Sequence, residues 1–292
     1  MRSTLCKNKS TPKGRGVADT WQSEDEPAPK PFGFAGWLRV VVRAVPLIIL
    51  VFGGLAFLLV VRLIERPLYG LRRPLTPYIT QCVCRLSLVL LGIRYTRTGT
   101  PMQQAGAVVA NHSSWLDIFA LNAAKRVYFV AKAEVAMWPG IGWLARATGT
   151  VFIRRDRRAA ADQIRVFQDR LAAGHQLLFF PEGTSTDGLQ VLPFKPTLFG
   201  AFFDEALKDG LKMQAVTVNY EAPAGEDPRF YGWWGDMDFA PHLLATLAAR
   251  RQGAVHVVYH PPVNVADYAG RKTLAAEMEA QTRAGLTQHR SP

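Results

Sequence analysis

The stretch VVANHSSWLDIFAL, Val108 to Leu121, joins two different periodicities through a histidine. Val108, Val109 and Ala110 make a short run of small apolar residues that reads as a buried strand, and the run from Trp115 reads as an amphipathic helix. His112 falls in the turn between them. From about residue 100 the chain repeats this alternation. β-type runs at AGAVVAN, RVYFVAK, TVFIRR, QLLFF, KMQAVTVNY and AVHVVYH are separated by helical runs at AMWPGIGWLARAT, AADQIRVFQDRLAAG and PTLFGAFFDEAL. Such alternation predicts an α/β domain built on a mixed, largely buried sheet flanked by helices. There are no internal repeats.

At 292 residues, 49% hydrophobic and 20% charged, the chain can bury a sizeable core. Its formal net charge of +12 implies an anionic partner, either nucleic acid or a membrane surface. Ala44 to Val61, AVPLIILVFGGLAFLLVV, decides for the membrane: it carries no charge and as a helix would be about 27 Å long, close to the roughly 30 Å hydrocarbon core of a bilayer. It begins too far from Met1 and lacks the following small-residue cleavage site of a signal peptide. Pro46 and the Gly53–Gly54 pair would weaken a soluble helix more than one in lipid. Arg62, Arg66, Arg72, Arg73, Arg85, Arg94 and Arg97 follow, against the single acid Glu65, which places the C-terminal side on the cytoplasmic face. LSLVLLGI, Leu86 to Ile93, is too short to span, so a helix pair dipping into one leaflet and a full crossing both remain open. The expected organisation is a disordered tail over 1–36, membrane-anchoring helices over 37–98, the α/β domain over 99–285 and a tail over 286–292. Cys6, Cys82 and Cys84 form no C-x-x-C pair and read as reduced thiols.

Three blocks carry candidate chemistry. With Ser114 as N-cap, Asp117 completes a capping box, and the same carboxylate can turn back on His112. A histidine oriented by a carboxylate is the minimum equipment of a general base, the second ring nitrogen being left to take a hydroxyl proton. In LLFFPEGTSTDG, Leu177 to Gly188, an apolar strand runs into Glu182, Gly183 and Thr184, at the sheet edge where open α/β folds bind ligands; an ordinary turn uses the same residue types. GTVFIRRDRR, Gly149 to Arg158, sets four arginines after a strand, as a solvated surface or as a phosphate-binding fork. No metal-ligand set is visible, His256 and His260 reading as core or edge histidines. The aromatic cluster from Arg229 to Leu244 fits an interfacial anchor, an acyl-pocket wall or core packing.

These blocks, in this order and each at a strand end, resemble the glycerolipid acyltransferases with the H-x-x-x-x-D motif, over roughly residues 85 to 265. NHSSWLD matches the first block, which implies a base at His112 with Asp117 as its partner. GTVFIRR resembles the second, giving Arg155 an acceptor-binding role. FPEGTS resembles the third, assigning acceptor contacts to Glu182, Gly183 and Thr184, and Lys132 in KAE and Lys195 in LPFK also look like family features. The resemblance implies acyl transfer in a ternary complex, without metal or other cofactor, from a thioester on acyl carrier protein or coenzyme A to a membrane lysolipid. Amides around Gly183 or at the start of the Ser114 helix are the oxyanion donors on offer.

Two departures stand out. Ala215 replaces a usual proline. After Thr184 the family usually has an arginine associated with the acceptor's phosphate, whereas here Ser185 stands with Asp187 close behind. Losing a phosphate partner and gaining a carboxylate favours an acceptor carrying an ammonium, which points to lyso-ornithine lipid, with lysophosphatidate as the alternative. Of the readings from other classes, a hydrolase would need a G-x-S-x-G elbow that the sequence lacks, and a non-catalytic membrane adaptor would leave His112, Asp117 and Glu182 unexplained.

Overall fold

The computed structural model describes residues 21–23, 31–153 and 160–290. Among them an eight-stranded mixed sheet carries helices on both faces. Its strands are β1 (Arg94–Thr98), β2 (Gly106–Ala110), β3 (Tyr128–Lys132), β4 (Val151–Ile153), β5 (Gln176–Phe179), β6 (Lys212–Glu221), β7 (Ala254–Tyr259) and β8 (Val263–Asn264). They lie in the order β1-β7-β6-β2-β5-β3-β4, with β8 added beside β6. From β6 to β4 the neighbours are parallel, while β7 and β8 run antiparallel to β6.

Side chains alternate across a strand, and the two cores separate by parity. Val108 and Ala110 of β2, Leu178 of β5, and Val216 and Val218 of β6 join one core with α1 (Phe34–Tyr69), α2 (Thr76–Leu91), α3 (Asp117–Ala124) and α7 (Phe239–Ala248). Ala107, Val109, Leu177, Phe179, Met213 and Ala215 face the other, with α5 (Ala160–Ala172) and α8 (Arg271–Arg290). Two short helices, α4 (Ile141–Thr148) and α6 (Glu205–Lys208), complete the chain-order set.

Several elements differ from expectation. Helix α3 begins at Asp117, two residues after Trp115, because Ser113 to Leu116 form a turn tied to the Asp117 carboxylate. The run at PTLFGAFFDEAL divides into a 3-10 helix, Pro196–Phe203, and α6. AMWPGIGWLARAT likewise divides, into a 3-10 turn Ala133–Met137 and α4, at Pro139 and Gly140. Arg94–Thr98, within the segment expected to anchor the membrane, is an edge strand paired with β7. Helix α1 starts at Phe34, inside the expected tail, and α8 continues to Arg290, past residue 286. The aromatic run from Arg229 packs inward: Tyr231 and Trp234 are each 1% exposed.

Helix α1, 36 residues and about 54 Å long, is the one helix among the described residues long and apolar enough to cross a membrane. It lies antiparallel against α2, close enough that a Cβ on Gly54 would strike Val83. Both of its ends are bonded to the rest of the protein. Arg39 Nε donates to Ala248 O (2.7 Å), and Arg43 Nη1 to Leu247 O (2.7 Å) and Ala249 O (2.6 Å), so two cations cap the C-terminus of α7. At the far end the buried Glu65 accepts the Leu75 and Thr76 amides and the Thr76 hydroxyl at the start of α2, and pairs with Arg62 at 3.2 Å. Leu38, Val42, Ile49, Leu63 and Leu68 are among the apolar side chains that α1 leaves exposed.

Candidate active site

Strand register assembles the site. Val109 of β2 pairs with Phe179 of β5, and continuing that register past the strand ends sets His112 opposite Glu182, on the face shared by Val108, Ala110 and Leu178. Glu182 Oε1 accepts the His112 backbone amide at 2.7 Å, and its Oε2 accepts the Leu192 amide at 2.8 Å. Phe180, of the same parity, stacks on the imidazole with centroids 4.0 Å apart. The Thr186 amide donates to His112 O at 2.9 Å, locking the two loops together, and the Trp233 amide, from the segment between β6 and α7, donates to Ser113 O at 2.8 Å. Gly183 holds φ at +75°, a left-handed turn that a side chain would strain.

The His112 ring meets Asp117 with Nδ1 and Oδ2 2.7 Å apart. An ionised carboxylate only accepts, so Nδ1 carries the proton and Nε2 is the basic nitrogen. Nε2 has no hydrogen-bond partner among the described residues, and the ring is 23% exposed while Asp117 is buried. Asp117 Oδ2 also accepts the Ser113 and Ser114 amides at 2.8 and 3.1 Å, but the capping box is not completed: Leu116 is the N-cap of α3, and the Ser114 hydroxyl accepts the Leu116 amide instead of capping Asp117. Asp117 Oδ1 accepts the Tyr220 hydroxyl at 2.9 Å. Tyr220 was outside the sequence reading because it lies 103 residues away near the end of β6; its even parity with Val216 and Val218 was the available signal. Burial and the Asp117 charge raise the Tyr220 phenol far above its usual range, so it stays a donor.

Glu182 is placed differently from an acceptor-contacting group. It is 1% exposed and both oxygens are occupied by backbone amides. Burial pushes its carboxyl up to about 8, against the pull of those two amides. The amides offered as oxyanion donors are engaged too: Ser113 and Ser114 donate to Asp117, and Gly183 donates to Phe180 O at 3.1 Å. Thr184 Oγ1 donates within its loop to Ser185 O, and Asp187 Oδ1 accepts the Leu189 amide, closing the same loop. Lys132 ends β3 at this end of the sheet, and the Lys195 amide donates to Pro181 O at 2.9 Å, at the foot of the Glu182 loop. Arg155, with Arg154, Arg157 and Arg158, lies outside the described residues.

Around this centre, Trp115 Nε1 donates to His242 Nδ1 at 3.0 Å. A cleft of about 460 Å³, lined by Leu189, Glu221, Pro223 and Glu226, shares Tyr220 with the site. His256 lies between the Thr96 and Thr98 hydroxyls, and His260 meets Thr217. No cluster of three metal-ligating side chains occurs among the described residues.

Comparison with known proteins identifies the family. The Acyltransferase family model matches residues 93–218, which include both loops. The lyso-ornithine lipid O-acyltransferase of Rhodobacter capsulatus is 58% identical over 268 residues, covering 92% of this chain and 97% of that protein. A 1-acyl-sn-glycerol-3-phosphate acyltransferase of Neisseria gonorrhoeae is 37% identical over 142 residues, 48% of this chain and 54% of its own length. The crystal structure of the 1-acyl-sn-glycerophosphate (LPA) acyltransferase PlsC from Thermotoga maritima has the same fold, with a TM-score of 0.63 at 21% identity over 88% of this chain and 97% of that one. A buried Asp holding a His at the end of a parallel strand, in a chain aligned over nearly the whole of such a relative, makes this protein a member of the H-x-x-x-x-D glycerolipid acyltransferase family.

Proposed function

We propose that the protein transfers a fatty acyl chain from a thioester donor, on acyl carrier protein or coenzyme A, to the free hydroxyl of lyso-ornithine lipid. The observation that carries the chemistry is the 2.7 Å contact between His112 Nδ1 and Asp117 Oδ2. It directs the basic Nε2 away from the carboxylate, where it takes the acceptor's hydroxyl proton as the oxygen attacks the thioester carbonyl. The tetrahedral intermediate then expels the thiolate, which recovers the proton from the imidazolium. Asp117 stabilises that imidazolium and fixes its tautomer. Tyr220 and Glu182 act as positioning residues, one on the Asp117 carboxylate and the other on the backbone of His112.

The acceptor reading rests on the R. capsulatus relative and on Ser185 standing where the family usually has a phosphate-binding arginine. The Neisseria relative supports a second reading, acylation of lysophosphatidate. The location we propose is the cytoplasmic face of the inner membrane, with α1 and α2 immersed in one leaflet. A helix tied to the domain at both Arg43 and Glu65 supports lying along the surface over crossing away from it. The test offers labelled acyl carrier protein thioester to washed membranes holding the protein or its His112→Ala form, with lyso-ornithine lipid and lysophosphatidate in parallel. His112-dependent label in ornithine lipid is expected. Label in phosphatidate alone would transfer the assignment to the second reading, and label in neither acceptor would reject both.

A further inference from the structure

At the opposite end of the sheet from His112, four side chains from separate elements meet beneath the link between α1 and α2. Tyr128 opens β3, His175 precedes β5, Arg170 closes α5, and Arg73 belongs to the link itself. The His175 ring, 4% exposed, stacks on Tyr128 at 3.9 Å, and the Arg170 guanidinium lies 5.7 Å from the Tyr128 ring centre. Arg73 Nη1 donates to Ala147 O at 2.7 Å, with its guanidinium against Gly149, and it acts electrostatically on Tyr128, Arg170 and His175.

The cluster has donors without acceptors. Arg73 Nε and Arg170 Nη1 are buried with no hydrogen-bond partner among the described residues, and His175 beside them interacts with the Leu71 backbone. The acid that acts on Arg73 is Glu65, whose oxygens are taken by Leu75, Thr76 and Arg62. Burial and mutual repulsion hold His175 down to about 4, and burial above all brings Arg73 down to about 10. A guanidinium taken out of water without a counter-ion is strongly disfavoured, and two of them converging more so.

We propose that Arg73 and Arg170, packed around Tyr128 and His175, form a binding site for a phosphate group, separate from the acyl-transfer centre. Two guanidinium forks match phosphate oxygens, and His175, turned toward the Leu71 backbone and stacked on Tyr128, walls the site. Exposed Tyr69, Leu71, Leu75 and Tyr78 surround the link, so a lipid headgroup is the source at hand. That choice of source rests on the immersion of α1 and α2 proposed above.

The test reads binding and not turnover, so it is independent of the acyl acceptor. Full-length protein in neutral detergent is titrated with dihexanoyl phosphatidylglycerol, with dihexanoylglycerol lacking the phosphate, and with inorganic phosphate, following the unfolding midpoint. Saturable stabilisation by the phospholipid and not by dihexanoylglycerol is expected. Binding should weaken about tenfold or more in Arg170→Gln and Arg73→Gln, each removing a charge-assisted contact, and should be retained in the control Arg66→Gln/Arg72→Gln, which removes two charges at exposed positions. Saturation by inorganic phosphate with the same variant pattern would keep the site and assign it to free phosphate. Should Arg73→Gln fail to fold, Arg170→Gln, away from the helix link, decides alone. Equal weakening in the control, or no saturable phosphate-dependent shift, would overturn the proposal.

Discussion

Replacing Tyr220 by phenylalanine isolates one bond of the site, because the ring stays while the hydroxyl that donates to Asp117 Oδ1 at 2.9 Å is lost. A hydrogen bond to a charged group contributes about 1.5–3 kcal/mol. The other oxygen keeps His112 and the Ser113 and Ser114 amides, so the carboxylate remains anchored. Only part of the lost bond should therefore appear in the barrier. If about 1.4 kcal/mol does so, kcat falls about tenfold. KM for the lysolipid should stay within about twofold, since the hydroxyl touches Asp117 and no ligand group is needed to satisfy it. For scale, Asp117→Ala removes all four contacts and should cost at least about a thousandfold. The assay is steady-state transfer from a labelled thioester in mixed micelles, with lysolipid and donor varied separately. A Tyr220→Phe enzyme with unchanged kcat would show that the amides alone orient Asp117. A change confined to KM would mean that Tyr220 meets the substrate.

Other perturbations test neighbouring parts of the argument. Glu182 is raised to about 8 by burial, so the folded protein holds a proton that the unfolded chain releases near 4.5. Its favourable contribution is complete below about 4.5 and is lost as pH rises through about 8, an effect of order 5 kcal/mol; the unfolding midpoint of the wild type should drop across that window more steeply than that of Glu182→Gln. Glu65→Gln replaces an acceptor-only carboxylate at a buried cap, and should destabilise by about 3 kcal/mol in thermal or denaturant unfolding, while a loss below about 0.5 kcal/mol would deny it a bracing role. Ser185→Arg should move the ratio of acylated ornithine lipid to phosphatidate toward the latter by about tenfold; an unaltered ratio would count against a headgroup role for this position.

The strand, turn and helix around His112 were legible because apolar runs flank a serine turn within fourteen consecutive positions, though the helix starts at Asp117 and not directly after Ser114. What escaped the sequence had weaker local signals. β1 reads RYTRT, an edge strand largely exposed, with no apolar run to announce it. α8 is charged overall, and its buried stripe of Leu274, Met278, Thr282 and Leu286 becomes meaningful only once β6 is known to lie beneath it. α7 carries Pro241 near its start, which resembles a break but is tolerated in a first helical turn. The site was legible as residue types and less so as roles. Glu182 looks like a ligand in a turn, and only the register of β2 with β5 turns its carboxylate onto the backbone of His112. Tyr220 required a third strand.

The arginines of α1 at the end of α7 have a practical meaning for handling this enzyme. Removing the apolar helix to obtain a water-soluble fragment would also remove Arg39 and Arg43, exposing three backbone carbonyls they cover, and Glu65, whose loss strips the start of α2. The apolar segment is a structural wall of the catalytic domain as well as a candidate membrane segment, so solubility here is better sought by substituting the outward positions of that helix than by cutting it away.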